Sequence, residues 1–465
     1  MEENKNILFV IPDGVGIRNY VYSSLIDHLK KNIQLYFWTT LPDAAINEVE
    51  SLHKVSIKHT RFSLPREPLL TRIYRESATY ARLLYNSKKL KNSTIISTWS
   101  KDRKNLKLRL LLIIAEFIGK RASKKYKRIL NLENKSIKYW DRRTIEFFKN
   151  QLEEIAPNSI FITHQRVAFL NPICIAASEL SITVNCCIYS WDNTAKASLA
   201  IRTDRYLVWS DYMKEELSNL YPEIDNKKIV VTGTPQFEFY FQDERKIPRG
   251  VFAKRYGLDP LKKWICYSGD DEKTSPFDPL YLEDLAKSIL EIPEGFRPEI
   301  IFRRCPVDVS DRFDDVIGKY SEIINVIDPL WNTDKVSWGT VYPKQEDIDL
   351  LVNITLHCEL VINVGSTMSH DFAVYNKPCL FIKYDQKKNE KWSVETIYKF
   401  QHFRSMGDLD AVAWINNKEE IKEKILKVLK HSDVIAKDKQ TWMKIIVRHP
   451  LQENAKLIAK QLIND

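Results

Sequence analysis

The stretch E-L-V-I-N-V-G-S-T-M-S-H-D-F-A-V-Y-N-K-P-C-L-F-I-K-Y-D, Glu359 to Asp385, decides the fold. A short apolar run, Leu360 to Val364, breaks at Gly365. Three hydroxyl residues follow (Ser366, Thr367 and Ser369), and a helix-like segment then leads to Lys377-Pro378 and a second apolar run. Strand, tight turn, helix N-terminus and strand make one βαβ unit. The first turn of such a helix carries unpaired N–H groups and a positive dipole end, so small hydroxyl residues there can hold a phosphate. A single serine would read as a helix cap. Glycine plus three hydroxyls between two buried strands reads better as an anion cradle.

Working outward, the unit closes a series that starts after the polar stretch Gln242 to Gly250. Trp264 to Ser268, Glu299 to Phe302 and Ile323 to Ile327 read as strands, and Lys344 to His357 as a helix. An earlier series opens with a strand at Ile7 to Ile11, the turn Pro12-Asp13-Gly14-Val15-Gly16, a helix marked by Val21, Leu25 and Leu29, and a strand at Ile33 to Trp38. Further strands are expected at Thr94 to Thr98, Ser159 to Thr163, Ile182 to Tyr189, Arg205 to Trp209 and Lys228 to Thr232, with a helix over Asp211 to Leu220. The fold class is therefore α/β, with two Rossmann-like doubly wound domains facing across a cleft. The expected boundaries are 1–241 and 251–445, with 446–465 forming a C-terminal helix that packs back on the N-terminal domain.

Bulk composition agrees. A chain of 465 residues is too long for one small core. Its 44% hydrophobic and 28% charged content is that of a globular enzyme. The start, M-E-E-N-K-N, is polar and runs straight into a strand, which argues against a secretory signal, and no apolar run is long enough to span a bilayer. Seven cysteines without a C-x-x-C pair argue for a reducing compartment and against a disulfide or zinc framework. A cytoplasmic protein is expected, peripheral on the inner face of the cell membrane if its basic segment docks there. That segment is Lys101 to Arg128, where basic clusters flank the apolar run Leu110 to Ile118 and account for much of the formal charge of +10. It suits an anionic membrane surface or a lipid-linked substrate; the plainer reading is a buried helix with solvated basic ends. Nucleic acid is not expected as a partner, because no base-stacking pattern or nucleic-acid motif is present.

In open α/β sheets ligands sit at the carboxyl ends of the strands. In the second domain those positions are Ser268-Gly269, Arg303-Arg304, Gly365-Ser366-Thr367 and Tyr384-Asp385. Glycines and hydroxyls admit phosphate oxygens, an arginine fork supplies charge, and Asp385 could accept from ribose hydroxyls. One of the two arginines could instead pair with a structural carboxylate such as Asp308. Asp270-Asp271-Glu272 would repel a diphosphate, cap the next helix, or hold a divalent metal. In the first domain the positions are Asp13-Gly14-Val15-Gly16, Arg18-Asn19, Thr163-His164-Gln165-Arg166 and Ser190-Trp191-Asp192-Asn193. The G-x-G lacks the third glycine of a dinucleotide fingerprint, Asn19 standing in its place. His164 and Asp13 are rival general bases for a hydroxyl, with an interface histidine and a helix cap as their structural readings.

With these residues assembled, the chain resembles the two-domain GT-B glycosyltransferases. D-R-Y-L-V-W-S…K-I-V-V-T-G-T-P (Asp204 to Pro235) looks like the end of their N-terminal domain. G-S-T-M-S-H-D-F-A-V-Y-N-K-P (Gly365 to Pro378) is similar to the donor loop of CDP-glycerol glycerophosphotransferase-like enzymes and sugar-nucleotide 2-epimerases. The resemblance implies donor-phosphate binding at Ser366 and Thr367, and the positions after the strands add Ser268, Gly269, Arg303, Arg304, Gly365 and Asp385 as donor contacts. It implies that the N-terminal domain holds the acceptor, for which the positions after its strands offer Gly14, Gly16, Arg18, Asn19, Trp191, Asp192 and Asn193, although its turn departs from the glycine-glycine pattern of many GT-B enzymes. His370 is the match for that branch's second histidine. The expected activity is inverting, metal-independent transfer of a sugar from a nucleotide-sugar to a surface polysaccharide or lipid-linked glycan, with no cofactor beyond that substrate. A polyol-phosphate transferase using a CDP donor, a 2-epimerase and a membrane- or polyanion-binding protein are the alternatives.

Overall fold

The computed structural model describes residues 5–31, 33–99, 105–197, 199–332, 341–388 and 392–463. The first domain is a seven-stranded sheet of β1 (Lys5–Ile11), β2 (Ile33–Thr39), β3 (Lys58–Arg61), β4 (Ser159–Ile162), β5 (Thr183–Cys187), β6 (Arg205–Val208) and β7 (Ile229–Val231), in the order β3-β2-β1-β4-β5-β6-β7. Every pairing is parallel. Strands covered by helices on both faces must be apolar throughout, and S-I-F-I of β4 is buried at all four positions. β3, K-H-T-R, is exposed along its length and caps one edge with polar side chains.

The second domain repeats the plan with six parallel strands: β8 (Trp264–Ser268), β9 (Glu299–Arg303) and β10 (Ile324–Val326), then β13 (Val361–Asn363), β14 (Cys379–Ile382) and β15 (Ala413–Ile415), in the order β10-β9-β8-β13-β14-β15. Between the two groups runs a two-residue antiparallel ribbon, β11 (Trp331–Asn332) and β12 (Tyr342–Pro343). Both sheets thus reverse direction beside their first strand, β1 against β4 and β8 against β13.

One expected strand is absent. Thr94 to Thr98 lies in a 3-10 turn, Ser93–Thr98, capped by the Asn92 carboxamide, which accepts from the Thr94 N–H at 3.1 Å. The β-branched run misled because only Thr94 and Ile95 of it are buried. The turn belongs to a helical insertion between β3 and β4, made of helices Leu69–Lys89, Leu106–Ala122, Tyr126–Lys138 and Arg142–Ile155. Its first two helices approach closely at Gly119, where a Cβ would lie 2.7 Å from the Ser77 carbonyl oxygen. Residues 101–104 of the basic segment lie outside the described residues.

The domains interlock. Tyr22 of the first donates to the Pro343 carbonyl at 3.2 Å, and Glu48 accepts from the Gln345 N–H at 2.7 Å. Arg404 of the second donates to the Leu90 carbonyl at 2.8 Å. The last helix, Asn454–Ile463, lies on the first domain: Ser159 donates to Leu462 O at 3.0 Å and Arg205 to Gln461 O at 3.2 Å. At its start Asn454 packs against Gly233, whose φ of +77° and lack of a Cβ both matter, since a Cβ there would lie 2.2 Å from the asparagine side chain.

Candidate active site

In a doubly wound sheet a crevice opens where neighbouring strands send their connections to opposite faces. In the first domain the residues at that point are Asp13 after β1 and Thr163-His164 after β4. In the second they are Gly269-Asp270 after β8 and Gly365-Ser366-Thr367 after β13. The two crevices face each other, and three small cavities between the domains meet at Thr367.

On the first-domain side Asp13 is both cap and partner. Its Oδ1 accepts from the Val15 N–H at 3.1 Å and the Gly16 N–H at 3.4 Å, while its Oδ2 lies 3.4 Å from His164 Nε2. The other ring nitrogen, Nδ1, accepts from the Arg166 backbone N–H at 3.1 Å, so a neutral ring carries its proton on Nε2, toward Asp13. Burial holds His164 below the ordinary histidine range, against the pull of Asp13, and its ring stacks on Tyr189 at 4.4 Å. The glycines serve close packing. A Cβ on Gly14 would sit 2.0 Å from the Val341 carbonyl oxygen of the second domain, and one on Gly16 would sit 2.3 Å from Thr163 Oγ1. Beyond them the chain widens into a π-helix, Ile17–Val21, which carries Arg18 and the buried Asn19 into the cleft.

On the second-domain side Gly365 has φ +75°, and its missing Cβ makes room for the Phe403 ring. Asn363, fully buried, accepts from the Ser366 N–H at 2.9 Å and fixes the turn. Ser366 Oγ accepts from the Met368 N–H at 3.4 Å, so Ser366 caps as well as lines the cleft. Ser369 turns away and donates to the Ser366 carbonyl at 3.0 Å. Ser268 and Gly269 line the same cavity as Ser366, Thr367, Arg303 and Arg18.

The two arginines are held differently from the pairing expected at Asp308, which binds Arg312 instead, at 2.7 Å. Arg303 donates through Nη2 to Asp347 Oδ1 at 2.7 Å, while its Nη1 is buried with no hydrogen-bond partner among the described residues. Arg304 donates to Asp328 at 3.2 Å and to the Ser310 carbonyl at 2.8 Å. Arg18 Nε is likewise buried without a partner. Asp347 also accepts from the Leu330 N–H at 2.9 Å and from Trp331 Nε1 at 3.0 Å. Burial opposes its charge, yet Arg303 holds it below the ordinary carboxylate range.

Asp270, half-buried, lies beside the fully buried Asp278. Asp278 accepts from Tyr267 Oη at 2.6 Å and from the Asp270 N–H at 2.6 Å, whereas Asp270 Oδ2 has no partner. Burial, with Asp278 and Asp271 adding to it, pushes Asp270 up. Asp271 caps the turn that follows, accepting from the Lys273 N–H at 2.9 Å. Among the described residues no three His, Cys, Asp or Glu side chains cluster as metal ligands.

The remaining positions divide. Trp191 is buried at the domain interface, edge-on to His370 at 4.9 Å and to His402 at 4.5 Å. Asp192 accepts from Ser190 Oγ at 2.6 Å and pairs with Lys196; Asn193 accepts from Gln165 at 3.0 Å. His370 is fully buried under Trp191 and Trp442, neither ring nitrogen has a partner, and burial pulls it down to about 3, so it is a neutral ring shut off from solvent. Asp385 is exposed outside the three cavities and accepts from Ser393 Oγ at 2.8 Å and the Val394 N–H at 2.7 Å. Sequence reasoning passed over Asp347, Asp371 and His402, which line the cleft. Asp371, whose Oδ1 accepts from Tyr240 Oη at 2.7 Å, directly follows His370 in the opening segment, so helical spacing alone could have placed it toward the cleft.

Beside the cleft, under the helical insertion, lies a further cavity of roughly 250 Å3 that shares Thr98 and Lys196 with the one at Trp191. Arg82, Trp99, Arg166, Arg202 and Tyr221 line it. Its cations are largely matched: Glu133 pairs with Arg82 at 2.7 Å and with Arg202 at 2.7 Å, and Arg75 with Glu67 at 2.7 Å.

The whole chain superposes on solved structures of two-domain enzymes. A UDP-GlcNAc 2-epimerase from Neisseria meningitidis, bound to UDP-GlcNAc, matches with a TM-score of 0.51 and 12% identity over 99% of this chain and 100% of that one. A glycosyltransferase from Rickettsia africae matches at 0.53 and 11% over all of both chains. The wall teichoic acid polymerase TagF, soaked with CDPG, matches at 0.51 and 11% over 100% of this chain and 89% of that one. The sequence matches no protein-family model and no curated protein. The chain has the GT-B fold, two Rossmann-like domains about a cleft, as its opening segment and strand order required.

Proposed function

We propose that the protein is a glycosyltransferase that moves a sugar from a nucleotide-sugar to a hydroxyl of a surface polysaccharide or lipid-linked glycan. The observation that carries this reading is the pair of buried guanidinium nitrogens, Arg18 Nε from one domain and Arg303 Nη1 from the other. Neither has a partner among the described residues, and both arginines line the cavity that holds Ser366 and Thr367. A buried donor without an acceptor is costly unless a ligand supplies one, and a diphosphate supplies several.

In this reading Asp13 is the base. In neutral His164 Nδ1 accepts from the Arg166 N–H and Nε2 carries the proton, which leaves the carboxylate, with Oδ2 3.4 Å away, as the group in the pair with a lone pair to offer. The acceptor hydroxyl gives its proton to Asp13, and its oxygen forms a bond to the anomeric carbon. The bond from that carbon to the diphosphate breaks, and the electron pair leaves with the nucleoside diphosphate, whose charge Arg303 and Arg18 meet. One displacement by one base inverts the configuration. His370, a neutral ring closed off by tryptophans, supports the interface rather than the chemistry.

Incubation with a panel of UDP-, CDP-, GDP- and CMP-activated donors, with binding followed by calorimetry and product configuration by NMR, tests the reading. Failure to bind any nucleoside diphosphate would overturn it. A 2-epimerase would convert its nucleotide-sugar with no acceptor present, and a polyol-phosphate transferase would prefer a CDP donor. The cavity under the helical insertion favours transfer, because it opens beside the cleft where a separate acceptor would have to sit and offers paired donors, acceptors and aromatic faces for sugar hydroxyls.

A further inference from the structure

The helix Leu106–Ala122 is apolar on two faces, and the fold uses one of them. Leu111, Leu112, Ala115, Gly119 and Ala122 are buried against the helical insertion. Leu106, Leu110, Ile113, Ile114 and Phe117 are 75%, 59%, 45%, 40% and 62% exposed. At 3.6 residues per turn these five fall within an arc of about 100°, the width of an apolar stripe that meets a partner. Lys107 borders the stripe on one side and Arg109 and Lys120 on the other, while Arg121 lies over the Phe117 ring at 3.6 Å. Lys124, Lys125, Lys127 and Arg128 continue the charge beyond the helix end. None of these eight cations forms an ion pair among the described residues. Leu69 and Leu70, at 67% and 50% exposed, extend the apolar surface onto the neighbouring helix, and an apolar groove lined by Leu64, Leu69, Leu108, Ile114 and Phe169 runs between them.

We propose that this face seats the N-terminal domain on an anionic lipid bilayer, with the five large apolar side chains among the acyl chains and the unpaired lysines and arginines at the headgroups. Charge complementarity decides between occupants. A second copy of this chain would bring the same unpaired cations into contact with themselves, whereas an anionic leaflet neutralises them. The helix is too short and too charged to cross, and among the described residues no helix of the protein is long and apolar enough to do so. Lying flat, it places the groove at the membrane surface and the cavity under the same insertion within reach of a lipid-linked substrate. The inference does not depend on the donor chemistry.

Flotation of the full chain with vesicles of phosphatidylcholine alone, and of phosphatidylcholine with phosphatidylglycerol, tests it. Wild type is expected to float with the anionic vesicles and to release at high salt. The exposed double substitution Leu110→Gln with Phe117→Gln should lower partitioning on the order of tenfold or more. Lys120→Glu with Arg121→Glu should lower it on the order of tenfold for anionic vesicles. Nucleoside diphosphate binding by the same preparations shows that the variants are folded and separates failure here from failure of the transferase reading. Equal flotation of wild type and both variants would overturn the proposal, as would absence of flotation. A dimer in solution that the Leu110/Phe117 variant dissociates, without vesicle binding, would assign the face to a second copy instead.

Discussion

Two arginines converge on the cleft, and the fold treats them oppositely, so their removal should separate binding from stability. Arg18 has no ion pair or hydrogen bond among the described residues, and its buried Nε is unsatisfied. Arg18→Met therefore breaks no hydrogen bond or ion pair among the described residues and gives up only the longer-range pull of Arg18 on Asp371 and Asp347, so unfolding free energy should stay within about 1 kcal/mol of wild type. A charge-assisted hydrogen bond to a phosphate contributes about 1.5–3 kcal/mol, so nucleoside diphosphate affinity should fall by about 10- to 150-fold. Arg303→Met is the contrast. It strands Asp347, whose side chain is 4% exposed, and breaking a buried pair in this way costs about 3–5 kcal/mol. The lower end is expected, because Leu330 N–H and Trp331 Nε1 still donate to Asp347. Calorimetric titration with UDP, CDP and GDP and urea unfolding of both variants give the two numbers. The argument is refuted if Arg18→Met unfolds several kcal/mol more easily while binding nucleotides as wild type does.

Asp13→Asn should leave nucleotide binding intact and lower the transfer rate by about 10²- to 10⁴-fold, with His164→Gln less severe, measured as single-turnover rates. Glu216 is buried on the helix Asp211–Leu220, donated to by Thr194 Oγ1, and burial pushes it up to about 7. A carboxyl raised in the fold binds its proton where the unfolded chain has released it. Its contribution is therefore fully present below about pH 4.5 and is lost as pH rises to about 7, a change on the order of 3 kcal/mol. Glu216→Gln should flatten that part of the pH dependence and unfold at higher urea than wild type at pH 8. Asp270→Asn, a neutral isostere of the acid form that burial favours, should bind nucleotides at least as tightly as wild type, as calorimetric titration of both will show.

Much of the fold could be read locally because parallel strands buried on both faces must be continuously apolar. The bounds of β8 and of the helix Asp211–Leu220 fell where the periodicity put them. What escaped was what that rule does not cover. β3 is wholly polar because it is an exposed edge, β15 has only three residues, and Thr94 to Thr98 has strand composition but folds around an Asn92 cap. At the site, the loop positions after the strands were legible because topology fixes them. The partners were not. Asp347 meets Arg303 from 44 residues away across the sheet, and nothing along the chain distinguishes it from Asp308. His370 shows the same limit, since its burial against Trp191 and Trp442 is not legible from its place after the hydroxyl cluster.

The acids around the cleft also answer the objection that carboxylates beside a diphosphate would repel it. Three of them line the cavity with Arg18, Arg303 and Arg304. Asp347 is ionised but spent on Arg303. Burial pushes Asp371 up, against the pull of Arg18, and pushes Asp270 up further, with two neighbouring aspartates adding to it. Burial makes a carboxyl cheaper to keep neutral than to ionise, and here it outweighs the pull of Arg312 on Asp270 and of Arg18 on Asp371. With Asp347 paired and burial opposing the charge of Asp270 and Asp371, the cleft keeps two guanidinium nitrogens, Arg18 Nε and Arg303 Nη1, that have no acceptor among the described residues. The same burial that pushes Asp270 up makes those nitrogens costly to leave unsatisfied, so desolvation of the cleft, rather than a count of its charged residues, favours an anion there.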